Sequence, residues 1–344
     1  MAQTAVDLTD AAFGGLIRED VMNKIWQIDN IPLELSSRIG TDSHENQYAE
    51  WTVEEMGAID TDNGVLDGAD ASKTNETVGE RQGNHSQIST KDIAVSQRAQ
   101  NVDTIGYANA LTHQVTQRQK DLRQDVEAIM LTSQASVKSA AATVPRSAGL
   151  GAWITDATAA ANGTTEGGFG ASTGDIVDAR TGAADASDVA LTESMVRSVS
   201  QLVYEEGGES SVFMSTPSVC KEFSEYLFTS SARVAALQSD VSQQKSAVTA
   251  TGAVNVFVSD FSTLEIVSNR KQQVEGTDTA VSVYLLDPSM LRLSFLEGWN
   301  VKPLSKTGLS DKRQMSVDWT LKVLNPKAQG GIFNIDQTAP VVAA

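Results

Sequence analysis

Between Asn101 and Lys138 the apolar residues Ala108, Leu111, Val115, Leu122, Val126 and Ile129 advance by threes and fours, which sets them in one stripe along a helix. The other face carries Gln114, Gln117, Arg118, Lys120, Asp121, Arg123, Gln124 and Glu127. No proline interrupts the stretch, and its one glycine, Gly106, lies near the start. The spacing therefore predicts about 30 helical residues spanning roughly 45 Å. A one-sided helix of that length needs a partner helix or a large sheet over its stripe, and the absence of a heptad register favours the sheet. One candidate lies near the far end of the chain. In Lys312–Leu324, Met315, Val317, Trp319, Leu321 and Val323 alternate with Gln314, Ser316, Asp318, Thr320 and Lys322, the pattern of a long strand with one buried face.

The 344 residues are enough for a sizeable core in two lobes, and the 40% hydrophobic content is that of a folded chain. A formal charge of −18 argues against a nucleic-acid groove or an anionic membrane as primary partner. The single cysteine, Cys220, permits no intrachain disulfide. The first ten residues lack a basic segment and an apolar run, so no signal peptide is expected. No stretch approaches 18 consecutive apolar residues, and the chain reads as soluble.

Taken in order, residues 9–28 read as an amphipathic helix with Phe13, Leu16, Ile17, Val21, Ile25 and Trp26 on its apolar face, stopped by Pro32 and followed by an extended arm. Residues 47–55 and 86–96 read as two strands around a polar, turn-rich segment, together a long hairpin. Residues 45–97 hold eleven Asp and Glu against three Lys and Arg, net −8. Ser147 to Ile154 reads as a surface crossing anchored by Trp153 and Ile154, before an Ala-, Gly- and Thr-rich run to about 187. A helix follows Leu191, with Met195, Val196, Val199, Leu202 and Val203 inward and Gly207 as its stop. A buried strand at 211–215 leads to a helix opened by Thr216-Pro217, and short strands are expected at 254–258, 263–268, 281–286 and 291–296. The strand at 312–324 reads as the last regular element.

No constellation of residues points to catalysis. His44, His85 and His113 have no second ligand at helical spacing and no paired cysteine, so no metal site and no cofactor is expected. Gly168 to Gly174 loosely matches a phosphate loop but follows no strand and ends without Lys-Ser/Thr, which leaves a plain glycine loop. Cys220 reads as a packing residue, and no Gly-x-Ser-x-Gly elbow occurs.

Two C-terminal phrases carry a family resemblance: Tyr284-Leu-Leu-Asp-Pro-Ser-Met-Leu-Arg-Leu-Ser-Phe-Leu, and the run from Lys306-Thr-Gly-Leu-Ser-Asp-Lys-Arg through Trp319 to Gly330-Gly-Ile. With Gly83-Asn-His-Ser-Gln-Ile-Ser and the Gly149-Leu150 junction upstream, the chain resembles the major capsid proteins of tailed bacteriophages over about residues 40–335. The resemblance implies an α+β chain with the Hong Kong 97-type fold. Its parts would be an N-terminal arm (1–44), an extended E-loop hairpin (45–97), a peripheral domain with a long spine helix (98–150 and 281–335), and an axial α/β domain (151–280). It implies a non-enzymatic shell subunit that assembles with itself as hexameric and pentameric capsomers into an icosahedral head. Further partners would be portal, scaffolding or decoration proteins and non-specifically contacted double-stranded DNA, with no membrane. The expected location is the virion, and the host cytoplasm during assembly. An encapsulin-type compartment shares the fold and is the alternative. A soluble α/β enzyme is a more distant one, and a surface-layer or adhesive module would need a secretion route.

On this reading a hairpin with strands of about 20 residues, roughly 65 Å long, buries Tyr48, Trp51, Ile88 and Val95 on a neighbouring subunit. Residues 301–327 carry six Lys and Arg against two Asp, net +4. The acidic hairpin is therefore expected over Lys312 and Arg313, or over Arg118 and Arg123, of the next copy.

Overall fold

The computed structural model describes residues 22–27, 33–57, 59–70, 78–154, 159–160, 168–170, 174, 176–177, 189–229, 255–274, 280–306 and 308–341. In chain order the first elements are strands β1 (Gly40–Ser43), β2 (Tyr48–Val53), β3 (Glu80–His85) and β4 (Gln87–Ser96), then helices α1 (Gln97–Asn101), α2 (Ala110–Met130) and α3 (Leu150–Trp153). Three two-residue strands follow, β5 (Ala159–Ala160), β6 (Gly168–Phe169) and β7 (Ile176–Val177). After them come α4 (Glu193–Glu205), β8 (Val212–Ser215), α5 (Pro217–Thr229), β9 (Val256–Val258), β10 (Thr263–Ser268), β11 (Ala280–Leu286), β12 (Leu291–Pro303), β13 (Ser310–Val323) and β14 (Gly330–Asp336).

The helix expected over 101–138 is shorter. Gly106 takes a left-handed φ of 84°, which breaks the chain between α1 and α2. Asn109 then caps α2, its side chain accepting from the Thr112 amide at 3.0 Å. At the other end the Leu131 amide turns back onto Ala128 O and the Thr132 amide onto Ile129 O. The 21 residues of α2 span about 31 Å at 1.5 Å each.

The expected floor is present. β12 and β13 form the centre of a four-stranded sheet ordered β1-β12-β13-β4, with β1 parallel to β12 and the other pairs antiparallel. Leu122, Val126 and Met130 of α2 share one core with Met315, Val317, Trp319, Leu321 and Val323 of β13, the alternating residues of that strand.

A six-stranded sheet, ordered β5-β14-β11-β8-β10-β9, makes the second layer. All seven residues of β11 are buried because both faces of this sheet are covered. Tyr284 and Leu286 turn toward the core under α2, whereas Val281, Val283 and Leu285 join Val196, Val199, Val203, Phe213 and Phe223 beneath α4 and α5. Val196, Val199 and Val203 of α4 are buried as expected, and Gly207 ends that helix with φ 82°. Trp153 and Ile154 are fully buried, the anchor that the sequence indicated.

Several expectations change. Residues 22–27 carry no helix, and the rest of 9–28 lies outside the described residues, as does most of the 155–187 run. The expected extended arm is a turn over Glu34–Arg38, closed by Ser37 N donating to Leu33 O at 3.1 Å and Ile39 N to Leu35 O at 3.1 Å. Strand β2 pairs with β3, not with residues 86–96, and the latter form the edge strand β4 beside β13. Strand β14 was not expected; it pairs antiparallel with β11. Glu127, placed on the polar face of the helix, is fully buried.

Candidate assembly surfaces

The base of the β2–β3 hairpin is riveted to the body of the molecule. Gly83 leaves room for the Tyr48 ring, which crosses β3 at that point: a Cβ there would lie 2.5 Å from the ring and displace it. The Tyr48 ring sits 4.6 Å from His85, and its hydroxyl donates to Gly174 O at 2.7 Å. Trp51 packs on Trp153 with ring centroids 5.5 Å apart.

Asn84, fully buried, accepts from the Ala148 amide at 3.0 Å and donates to Leu321 O at 2.8 Å. Ser147 Oγ lies 3.1 Å from Thr320 Oγ1 and accepts from the Leu321 amide, and Gln87 Oε1 accepts from Ser147 N and from Gln134. The Gly83–Ser89 phrase thus ties the hairpin, β13 and the 147–149 junction with side chains whose polar groups are nearly all paired.

Among the described residues between Val53 and Glu80, which are 54–57, 59–70 and 78–79, the backbone is irregular and nearly all side chains stand in solvent. Met56, Ile59, Val65, Leu66 and Val78 are each more than four-fifths exposed. Five large apolar groups within one acidic, strand-tethered span are a surface that calls for a cover. A groove of about 280 Å³ opens elsewhere, between the 33–41 turn, α2 and β12, walled by Leu33, Ser36, Arg123, Val126, Phe295 and Trp299. The Arg123 guanidinium lies 5.5 Å from the Trp299 ring centroid.

The eight residues expected at contacts between copies do not form one site. Val95 is 8% exposed and closed under α2 with Ile93, Leu111 and Val115, so it packs within its own chain; its strand belongs to the sheet and not to the hairpin. Tyr48 and Trp51 are half-buried at the hairpin base. Ile88 is 55% exposed on the edge strand. Arg118 is exposed and pairs with Asp121 at 2.9 Å, one turn along α2. Lys312 is half-buried and Arg313 exposed, opposite Ala94 and Ile93 in register.

Most cations of 301–327 find anions within the chain. Lys302 pairs with Glu297 at 2.8 Å, Lys306 with Asp311 at 2.5 Å and Lys322 with Asp42 at 2.7 Å. Lys327 sits between Glu55 at 2.9 Å and Glu206 at 3.2 Å, joining the root of the exposed span to the end of α4. These pairs hold the pKa of Asp42 and Asp311 below the ordinary carboxylate value and lift that of Lys327.

Among the described residues no three His, Cys, Asp or Glu side chains gather as metal ligands, and no helix is long and apolar enough to cross a membrane. His113 stacks on Tyr107 at 4.7 Å, and His44 Nδ1 lies 2.9 Å from Ser294 Oγ. Burial first, then the Lys322 charge, depresses the His44 pKa. Cys220 is buried against Ser215 O and Val267 O, and burial pushes its thiol up to about 12. The folded protein is therefore expected to take up no maleimide at pH 7.5 on a timescale of minutes, and one equivalent in denaturant, as read by mass spectrometry.

A family profile described as SU10 major capsid protein matches residues 2–336. No curated protein sequence matches the chain. Among solved structures, a chain of the Cyanophage Pam1 capsid asymmetric unit is similar at 11% identity and a TM-score of 0.57, with 98% of this chain and 100% of that one covered. A chain of the holo-SrpI encapsulin complex from Synechococcus elongatus reaches 12% identity and a TM-score of 0.56 over 97% of this chain and 98% of that one. A capsid chain of a native GTA particle gives 12% identity and a TM-score of 0.53, covering 96% and 99%. At these identities the likeness is one of fold.

Proposed function

Because this chain belongs to the SU10 major capsid protein family, we propose that it closes its shell by laying the acidic span of one copy, residues 54–79, over a basic surface of the next. It is a phage coat protein with the Hong Kong 97-type α+β fold, it assembles with copies of itself into capsomers, and its place is the virion. The observation that carries the proposed contact is the set of five exposed apolar side chains on a span rooted in a rigid hairpin base.

The parts take the following roles. The 54–79 span with β2 and β3 is the E-loop. Helix α2 with β1, β4, β12 and β13 is the peripheral domain, and α4, α5 and the six-stranded sheet are the axial domain. β11 pairs with β8 and β14 with β11 in the six-stranded sheet, so on this reading 280–286 and 330–336 are counted with the axial domain. Capsomers are hexameric and pentameric in an icosahedral head, with portal and scaffolding or decoration proteins as partners. The enclosed double-stranded DNA is held without sequence readout, as an acidic chain requires. Assembly takes place in the host cytoplasm, and no catalysis is involved. An encapsulin-type compartment shares the fold, as the SrpI chain illustrates; the family favours the phage head.

Negative-stain microscopy of the expressed full-length chain is expected to reveal shells or capsomers, and a persistent compact monomer would contradict the reading. For the basic surface, the paired reversal Lys312→Glu and Arg313→Glu is expected to reduce the yield of shells at least tenfold. Both side chains retain some exposure on the sheet, so the monomer's unfolding free energy in urea is expected to stay within about 0.5 kcal/mol of wild type. Undiminished shells would move the contact to Arg118 and Arg123.

A further inference from the structure

Glu127 contacts two segments that are far apart in sequence. Its Oε1 accepts from the Leu35 amide at 2.6 Å and from Asn269 Nδ2 at 2.9 Å. Its Oε2 accepts from the Ser36 amide at 2.9 Å and from the Ser36 hydroxyl. Leu35 and Ser36 belong to the turn that leads into β1, and Asn269 follows β10 in the six-stranded sheet. Asn269 is itself fully buried and held in place: its amide donates to Ser215 O at 2.9 Å, and its Oδ1 accepts from the Lys271 amide at 2.8 Å. On the surface, the same two segments meet again where the Arg38 fork spans both oxygens of Glu265 on β10, at 2.8 and 3.0 Å.

A carboxylate offers four acceptor sites, and here four donors fill them. None of the four comes from a Lys or Arg, so the group is not one half of a buried ion pair. Between the turn and the sheet it acts as a shared acceptor, and moving either set of donors leaves the other bonded to a displaced oxygen. Glu127 and Asn269 are fully buried and Ser36 partly so, and the mismatch is most costly on the Asn269 side, where a forfeited hydrogen bond finds no water to replace it.

We propose that Glu127 is a coupling joint, through which the seat of the N-terminal arm and the β10 end of the six-stranded sheet each respond to a change in the other. Its use in a shell rests on the coat-protein reading. The coupling itself is a property of the single chain and is measured on it, so failure of one does not imply failure of the other.

The test is hydrogen exchange on the full-length unassembled protein, comparing wild type with Ser36→Ala and Asn269→Ala. Ser36→Ala is expected to speed exchange in the 263–272 peptide about fivefold, and Asn269→Ala to do the same in the 33–40 peptide, the lower end of ordinary coupling between sites. The β13 peptide, 310–323, is expected to stay unchanged in both. In a Glu127→Gln background, where an amide offers one oxygen in place of two, neither second substitution is expected to add a remote effect. Should Glu127→Gln fail to fold, the two single variants still decide. A change confined to the mutated segment overturns the proposal, and so does a rise spread over every peptide including β13, which would be global loosening.

Discussion

Gly149→Ala is expected to abolish the folded monomer, with soluble yield lost and any residual protein destabilised by about 3 kcal/mol or more, the upper range for forcing atoms into a packed core. The backbone at Gly149 is ordinary, with φ −81° and ψ 168°, so the demand is for space and not for a special conformation. A Cβ there would lie 2.1 Å from Thr132 O and 2.9 Å from Ile129 O, both backbone atoms at the end of α2. No rotamer change relieves that overlap. The chain on either side is pinned as well: the Gly149 amide donates to Gln134 O at 2.9 Å, and Leu150, Ala152, Trp153 and Ile154 are fully buried. Relief would require displacing the α2 terminus or withdrawing Trp153 from the core, against a total stability of about 5–15 kcal/mol. Gly207→Ala is the control. Its φ is 82° but a Cβ there meets nothing within 4 Å, so only the left-handed strain of about 1–2 kcal/mol applies. Urea unfolding followed by circular dichroism separates the two, and equal midpoint shifts would refute the steric account.

The Gly149-Leu150 junction was legible only as a family phrase; its reason is a carbonyl 17 residues upstream, which no local pattern announces. The same division runs through the fold. The alternation in 315–323 and the stripe through Leu122 and Val126 are local periodicities, and both elements stand where the pattern put them, one on the other. The apolar spacing runs on through Gly106 and Asn109 without a break, so periodicity alone extends the helix too far, although Asn109 is a good cap by residue type alone. Strand β14 escaped because it begins Gly-Gly and is buried on both faces, so it has neither alternation nor a turn signal in the usual place. Strand β3, Glu-Arg-Gln-Gly-Asn-His, contains no β-branched residue, and it is a strand because Tyr48 and the Asn84 bonds hold it to its neighbours. Glu127 looked solvated because the i+3 and i+4 rule sees only its own helix, while its donors lie 91, 92 and 142 residues away. The cations of 301–327 look like a free basic surface in the sequence for the same reason, and Lys302, Lys306, Lys322 and Lys327 are answered from Asp42, Glu55, Glu206, Glu297 and Asp311.

Replacing Met56, Ile59, Leu66 and Val78 together by serine is expected to leave the monomer folded and to prevent shells from forming. Each of these side chains stands almost entirely in solvent in the single chain, so the substitutions remove no packing from it. A change of less than about 0.5 kcal/mol in unfolding free energy is expected, as for other exposed positions. Assembly is another matter. Burying one large aliphatic side chain gains about 1.5–3 kcal/mol, and even half of the lower figure for four groups comes to about 3 kcal/mol per contact. Since about 1.4 kcal/mol is a factor of ten in affinity, each contact weakens roughly a hundredfold, and a shell multiplies that loss over every copy. Light scattering across a concentration series is therefore expected to move the onset of assembly at least a hundredfold higher, while the thermal unfolding curve of the dilute monomer overlays that of wild type. Single substitutions are expected to shift the onset by about threefold each, in near-additive steps, because the four groups lie on a span without mutual packing. Shells that form at the wild-type concentration from the quadruple variant would show that the exposed span is not what joins one copy to the next. A collapse of the monomer would show instead that the span is covered within its own chain. The described residues between Val53 and Glu80 argue for the first account: none of them belongs to a strand, and five large apolar side chains among them stand in solvent.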